Sequence, residues 1–224
     1  RNSLQLFDML HSMRQFDDLT YVHSVNVALI ASILGQWLKF SEKDIRILTI
    51  SGLLHDIGKI MIPNEILTKP GKLTVAEYNI MKQHVNFGYE KVKNQNIDIR
   101  IKEACLLHHE KCDGTGYPFG LKSDHIPAVA KIIAIADVYD AMTSARVYRG
   151  ALCPFEVIDT MYKDAFTKFE PEYILPFLKN VASSYINNDV RLSDGRIGKV
   201  VLINENALSL PCLLYTSDAA DDRI

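Results

Sequence analysis

From Ala128 to Met142 the chain runs almost without interruption through alanine, valine and isoleucine, yet it sets Asp137 directly after Ile132-Ile133-Ala134-Ile135-Ala136. A segment of helical length that is apolar on most of its sides has to be surrounded by protein. It therefore demands other helices packed around it. A carboxylate in such a helix is costly to bury without a cation, the plainer alternative being an interhelical salt bridge.

Helical signals supply those neighbours from the start of the chain to about Tyr185. Val22, Val25, Leu29, Ile33 and Trp37 recur at three- and four-residue steps as one apolar stripe of an amphipathic helix. Ser41 with Asp44 marks a helix start, and that helix ends near His55 to Lys59. Thr74 and Glu77 form a capping-box pattern that launches a helix carrying Tyr78, Met81 and His84. Further helices are expected over 99–110, 154–166 and 171–185. Asp113 to Gly120 packs three glycines and a proline into eight residues, which breaks helix and strand alike and predicts a shaped loop.

From Val190 the pattern changes, and Asp194-Gly195 between two apolar runs reads as a hairpin. The expected architecture is all-α, a helical domain over 1–186 with a small β-hairpin appendage over 187–212. Cys212 to Asp222 resembles translated adapter sequence, so 213–224 is expected to be a non-native tail. The chain opens on Arg1 rather than Met, which suggests a piece of something longer.

Lys plus Arg number 25 against 27 Asp plus Glu, a formal charge of −2 that offers no broad footprint for duplex nucleic acid or anionic membrane. Neither a signal peptide nor an apolar stretch of about 18 residues is visible. The four cysteines include no C-x-x-C pair and read as free thiols of a reducing compartment, which makes the cytoplasm the expected location.

Five of the seven histidines, His23, His55, His84, His108 and His109, fall in apolar or helix-forming segments. Singly, each fits a hydrogen-bonded core residue. As a set they need another explanation, and Asp56 beside His55 at the end of a buried-looking helix adds a carboxylate that requires compensation. Lys59, three residues after Asp56, is either its ion-pair partner or a cation poised over an anionic substrate. Five imidazoles and two carboxylates without a thiolate make the ligand set of borderline divalent metals. Seven donors exceed one tetrahedral site. A carboxylate-bridged pair of ions suits attack of a metal-activated hydroxide on a phosphodiester.

His55-Asp56-Ile57-Gly58-Lys59, then His108-His109-Glu110-Lys111-Cys112-Asp113-Gly114-Thr115-Gly116-Tyr117-Pro118, then Ala136-Asp137-Val138-Tyr139-Asp140-Ala141-Met142-Thr143-Ser144 resemble the HD-GYP family of cyclic di-GMP phosphodiesterases. The resemblance runs from about Leu4 to Pro211. It implies an HD-type helical core, two divalent metal ions (iron or manganese, with nickel or zinc as alternatives), and opening of cyclic di-GMP to pGpG and then, in many members, GMP. Position by position, it makes His23, His55, Asp56 and Asp137 ligands of one metal and Asp56, His84, His108 and His109 ligands of the other, with Asp56 bridging. Lys59 would bind a substrate phosphate.

Gly116, Tyr117 and Pro118 match the signature segment near the pocket, where Tyr117 offers a surface for a base or for a diguanylate cyclase-type partner; a rigid structural turn is the alternative. Arg146 and Arg149 match a basic pair that engages phosphate or guanine. Whether a sensor or receiver domain precedes Arg1 is left open by the sequence. Leu19 stands where some members place a glutamate for a third metal, Val147 where proline is usual, and Asn187-Asn188 where a proline-glycine turn is usual. Hydrolysis of another nucleotide and non-hydrolytic dinucleotide binding are the rival readings.

Overall fold

The computed structural model describes residues 2–144, 152–192 and 194–215. Ten α-helices occupy the described residues in the order α1 (Asn2–Phe16), α2 (Asp18–Trp37), α3 (Glu42–Leu54), α4 (Asn64–Leu67), α5 (Val75–Met81), α6 (His84–Val92), α7 (Ile99–Leu107), α8 (Ala128–Thr143), α9 (Pro154–Asp164) and α10 (Pro171–Ser183). A short 3-10 turn, Ile57–Met61, follows α3. The strands β1 (Asp189–Arg191), β2 (Ile197–Asn204) and β3 (Ala207–Tyr215) close the chain.

Polar side chains start several of these helices by accepting backbone N–H groups that a first turn leaves unpaired. Asp17 accepts from Leu19 and Thr20 ahead of α2, Ser41 from Asp44 ahead of α3, and Asp98 from Arg100 ahead of α7. Thr74 and Glu77 form the expected capping box. The helix they launch stops at Met81, however, and His84 opens a separate helix, α6.

α8 is buried along Val129, Ile132, Ile133, Ile135 and Ala136, and it packs against α2, α3 and α7. The apolar stripe of α2 is divided, Trp37 packing against the core while most of the rest turns outward. Val22, Leu29 and Ile33 are exposed, and the buried face is made of Thr20, Ser24, Val27, Ala28, Ala31 and Leu34. Small side chains there let α2 lie close on α3, so backbone proximity rather than side-chain bulk fills the space. Apolar residues on both sides also give α2 the length and the mean hydropathy, 1.2, of a membrane span, although it packs within the bundle and carries His23.

The expected hairpin is the β1–β2 pair, antiparallel around Asp194-Gly195 with Val190 opposite Gly198. A third strand, β3, pairs antiparallel with β2, Gly198 lying opposite Tyr215 and Asn204 opposite Ala207. Strand pairing therefore continues to Tyr215, beyond the boundary at 212 expected for the β element. Pro211 obscures β3 in the sequence; it lacks an N–H and is tolerated because β3 is an edge strand. Asn187 takes the left-handed conformation at φ 72°, which asparagine adopts more readily than most side chains. The sheet packs on α9 and α10 through Val200, Ile203 and Leu208.

Candidate metal centre

Each candidate ligand sits at an end or a packed face of an element of the bundle. His55 terminates α3, and Asp56 begins the 3-10 turn. His84 opens α6, His108 terminates α7 with His109 following, and His23 and Asp137 face inward from α2 and α8. The turn after Asp56 lies directly on α6, where a Cβ on Gly58 would sit 1.9 Å from the carbonyl oxygen of His84 and 2.4 Å from the nitrogen of Gly88. Only glycine permits that approach. It brings Asp56 against His84.

Three imidazoles are oriented by their own chain. The Nδ1–H of His55 donates to the carbonyl of Gly52 at 2.7 Å, that of His84 to Met81 at 2.7 Å, and that of His108 to Ala104 at 2.9 Å. A carbonyl can only accept, so Nδ1 carries the proton and Nε2 presents a lone pair. Those lone pairs converge on Asp56. Its Oδ2 lies 3.2 Å from His55 Nε2 and 3.7 Å from His23 Nε2, and its Oδ1 lies 3.3 Å from His84 Nε2 and 3.8 Å from His108 Nε2.

Two groups of donors result. Asp56, His84, His108 and His109 each place a ligand atom within 4.8 Å of the others, and so do His23, His55 and Asp137. Asp56 belongs to the first group by contact and reaches the second through Oδ2, which is the arrangement of a bridging carboxylate. His55 Nε2 and Asp56 Oδ1 are buried with no hydrogen-bond partner among the described residues. Imidazole and carboxylate acceptors gathered this closely repel unless a cation lies between them. The residues present therefore fit a pair of divalent cations.

Burial holds three of the imidazoles, those of His84, His108 and His109, toward the neutral form. It depresses His84 and drives His108 well below the usual histidine range, and it takes His109 down to about 3. His23 differs. Burial opposes its protonation, but Nδ1–H donates to Asp140 at 2.6 Å and Nε2–H to Asp137 at 3.0 Å, which raise it to about 9. With no cation in place the flanking carboxylates favour the protonated form of His23, and binding a metal requires release of its Nε2 proton. Burial likewise opposes ionisation of Asp56, yet the Lys59 ammonium 2.5 Å away holds it well below the ordinary carboxylate range. The Asp56–Lys59 ion pair, one of the two readings open for this lysine, is present, and Lys59, about one-fifth exposed, stands beside the cluster.

The Gly116-Tyr117-Pro118 segment folds back onto the histidine pair. A Cβ on Gly116 would lie 2.4 to 2.6 Å from backbone atoms of Lys111, Glu110 and His109, so the loop closes only with glycine. Tyr117 N–H donates to the His109 carbonyl at 3.2 Å, and the Tyr117 ring stacks on that of His109 with centroids 4.7 Å apart. Burial holds the phenol protonated. Arg146 and Arg149, with Val147, lie outside the described residues.

Two contributors escaped the sequence reading. Asp140 accepts from His23 and from Asn26 and thereby orients the imidazole. Its only signal is the three-residue step from Asp137, which places both carboxylates on one face of α8. Buried Glu110 accepts the N–H groups of Phe119 at 2.7 Å and Leu121 at 2.9 Å and so ties down the loop that carries Tyr117. Its place beside His109 was visible; its partners nine and eleven residues on were not.

A sequence profile described as HD domain matches residues 7–173. The chain is similar to a cyclic di-GMP phosphodiesterase of Pseudomonas aeruginosa, 36% identical over 200 residues, covering 89% of this chain and 48% of that protein. It is also similar to a 3'3'-cGAMP-specific phosphodiesterase of Vibrio cholerae, 40% identical over 145 residues, covering 63% of this chain and 33% of that protein. Among solved structures, the HD domain of a Listeria monocytogenes phosphodiesterase in complex with cyclic di-AMP superposes with a TM-score of 0.60 at 18% identity, covering 79% of this chain and 95% of that one. The chain spans about half the length, or less, of the curated relatives it matches.

Proposed function

This chain belongs to the HD domain family, in its HD-GYP branch, and from that premise we propose that it is a metal-dependent phosphodiesterase that opens cyclic di-GMP to pGpG, GMP or both. The observation that carries the reading is the Asp56 carboxylate, buried and divided between His23 and His55 on one oxygen and His84 and His108 on the other. In this reading His23, His55, Asp56 and Asp137 hold one cation, and Asp56, His84, His108 and His109 hold the second. Neutral imidazoles with carboxylates suit iron(II) or manganese(II), with nickel and zinc as alternatives. A bound pair of such ions supplies Lewis acidity and an activated water for in-line attack on phosphorus.

The chain's own groups do the rest. Asp140 and the carbonyls of Gly52, Met81 and Ala104 hold four imidazoles in one orientation, so little reorganisation accompanies the reaction. Lys59 supplies a fixed positive charge for a phosphate oxygen. Tyr117, stacked on His109, forms an apolar wall that keeps bulk water from that side and offers a purine a face to lie against.

Nothing in this donor set distinguishes guanine from adenine, and the relative from V. cholerae named for 3'3'-cGAMP supports that compound as the second candidate substrate. Anaerobic loading with iron(II) or manganese(II), followed by chromatography of reactions with each dinucleotide, is expected to yield pGpG or GMP from cyclic di-GMP at the higher kcat/KM. Release of product from neither compound with either metal rejects the proposal. Intact cyclic di-GMP recovered from a tight complex identifies a binding module instead.

A further inference from the structure

We propose that Lys82, with Tyr78 and Tyr117, forms the subsite that holds the nucleotide lying beyond the phosphodiester under attack. The inference deepens the phosphodiesterase reading and rests on it. Lys82 caps the C-terminus of α5 and precedes His84 by two residues. Its ammonium lies 5.3 Å from the centre of the Tyr78 ring and 6.0 Å from that of Tyr117. Among the described residues no carboxylate pairs with it, whereas Lys59 is matched to Asp56.

Tyr117 joins this cation to the metal centre. Its ring stacks on His109 and meets His84 edge-on at 6.5 Å. Tyr78 is half exposed, so the shelf opens outward to solvent. Among the described residues only ring faces hold this ammonium, which keeps its donors available for an oxygen ligand, and the rings offer surfaces on which a base can stack. A cyclic dinucleotide has two phosphates and two bases. Cutting one ester at the ions with Lys59 alongside leaves a second phosphate and its base to be held. An uncompensated lysine between two phenols matches that anionic and planar remainder, since lysine donates to phosphate oxygens and to the O6 and N7 acceptors of guanine. A lysine serving only to end α5 would need no contact with Tyr117.

The test is steady-state kinetics of Lys82→Ala and Lys82→Arg with cyclic di-GMP and with bis(p-nitrophenyl) phosphate, a small diester lacking the distal nucleotide, alongside metal content. Lys82→Ala is expected to raise KM for cyclic di-GMP about tenfold with kcat within about twofold, the pattern of lost binding rather than lost chemistry. Its penalty on the small diester should be about tenfold smaller, its metal content should equal that of wild type, and Lys82→Arg should recover most of the KM. An unchanged KM, or equal losses on both substrates, overturns the inference while leaving the phosphodiesterase reading intact. Wild-type protein that cleaves the small diester but no cyclic dinucleotide overturns both.

Discussion

Around Asp56 the bundle buries acceptors that no group among the described residues satisfies, whereas the C-terminal sheet leaves Ile197, Leu202, Leu210 and Leu214 exposed while its ladders pair the backbone. The first region gathers the candidate ligands around acceptors that call for a cation. The second attaches to α9 and α10 through a few buried side chains and carries none of the candidate ligands. Burial alone therefore does not mark stability in this protein. At the centre, depth raises the electrostatic value of each donor and leaves its repulsion uncancelled until an ion arrives.

Substitutions can separate the regions. The largest effect is expected from Asp56→Ala, which removes the acceptor shared by both donor groups. Turnover should fall more than about a thousandfold and metal content should collapse, with the helical circular dichroism signal retained. Chelation should then lower the melting temperature of wild type and leave that of the variant unchanged; an equal shift in both would break the contrast. In the sheet, Leu208→Ala should cost about 2 to 4 kcal/mol in denaturant unfolding, as for other buried leucines, with metal content and kcat per folded molecule unaltered. Lost activity at full folding would show that the sheet shapes the site.

Glu110→Ala tests the boundary between structure and chemistry. It strips the acceptor from two loop N–H groups and should destabilise the protein by about 2 kcal/mol, while kcat/KM falls and metal content persists. Glu110→Gln keeps one acceptor and should lose less of both, as unfolding and kinetics on the same samples will show.

The smallest effect lies at the rim. Lys69 and Thr74 hold Glu77 at about 2, below its unfolded value, so its ionised form favours the folded state at neutral pH. That contribution is complete above the unfolded carboxylate value and disappears as pH falls toward 2. The gap in urea midpoint between wild type and Glu77→Gln should accordingly narrow from pH 6 to pH 3. A gap independent of pH would assign the capping box a purely neutral role.

Much of the centre was legible because its parts are local. His55-Asp56 and His108-His109 are adjacent pairs, and Asp137 betrays itself by interrupting an apolar helix. The pairing of His23 with Asp140 spans 117 positions, and an aspartate near a helix end looks like a solvated charge until the fold brings α2 against α8. The orientation of α2 was illegible for a different reason. Val22, Leu29 and Ile33 face outward, while small and hydroxyl side chains share the buried face with Val27 and Leu34.

What the amino-acid order determined by itself was the helical periodicity, the capping residues, the breaks at Pro and Gly, and the identity of the donors, since all of these follow from interactions within a few residues. The packed chain alone decided which face of α2 is buried, where β3 pairs, how Glu110 closes the Tyr117 loop, and how one carboxylate comes to serve two donor groups. Those depend on backbones meeting at contact distance, as Gly58 meets His84, and periodicity carries no record of which helix lies across which.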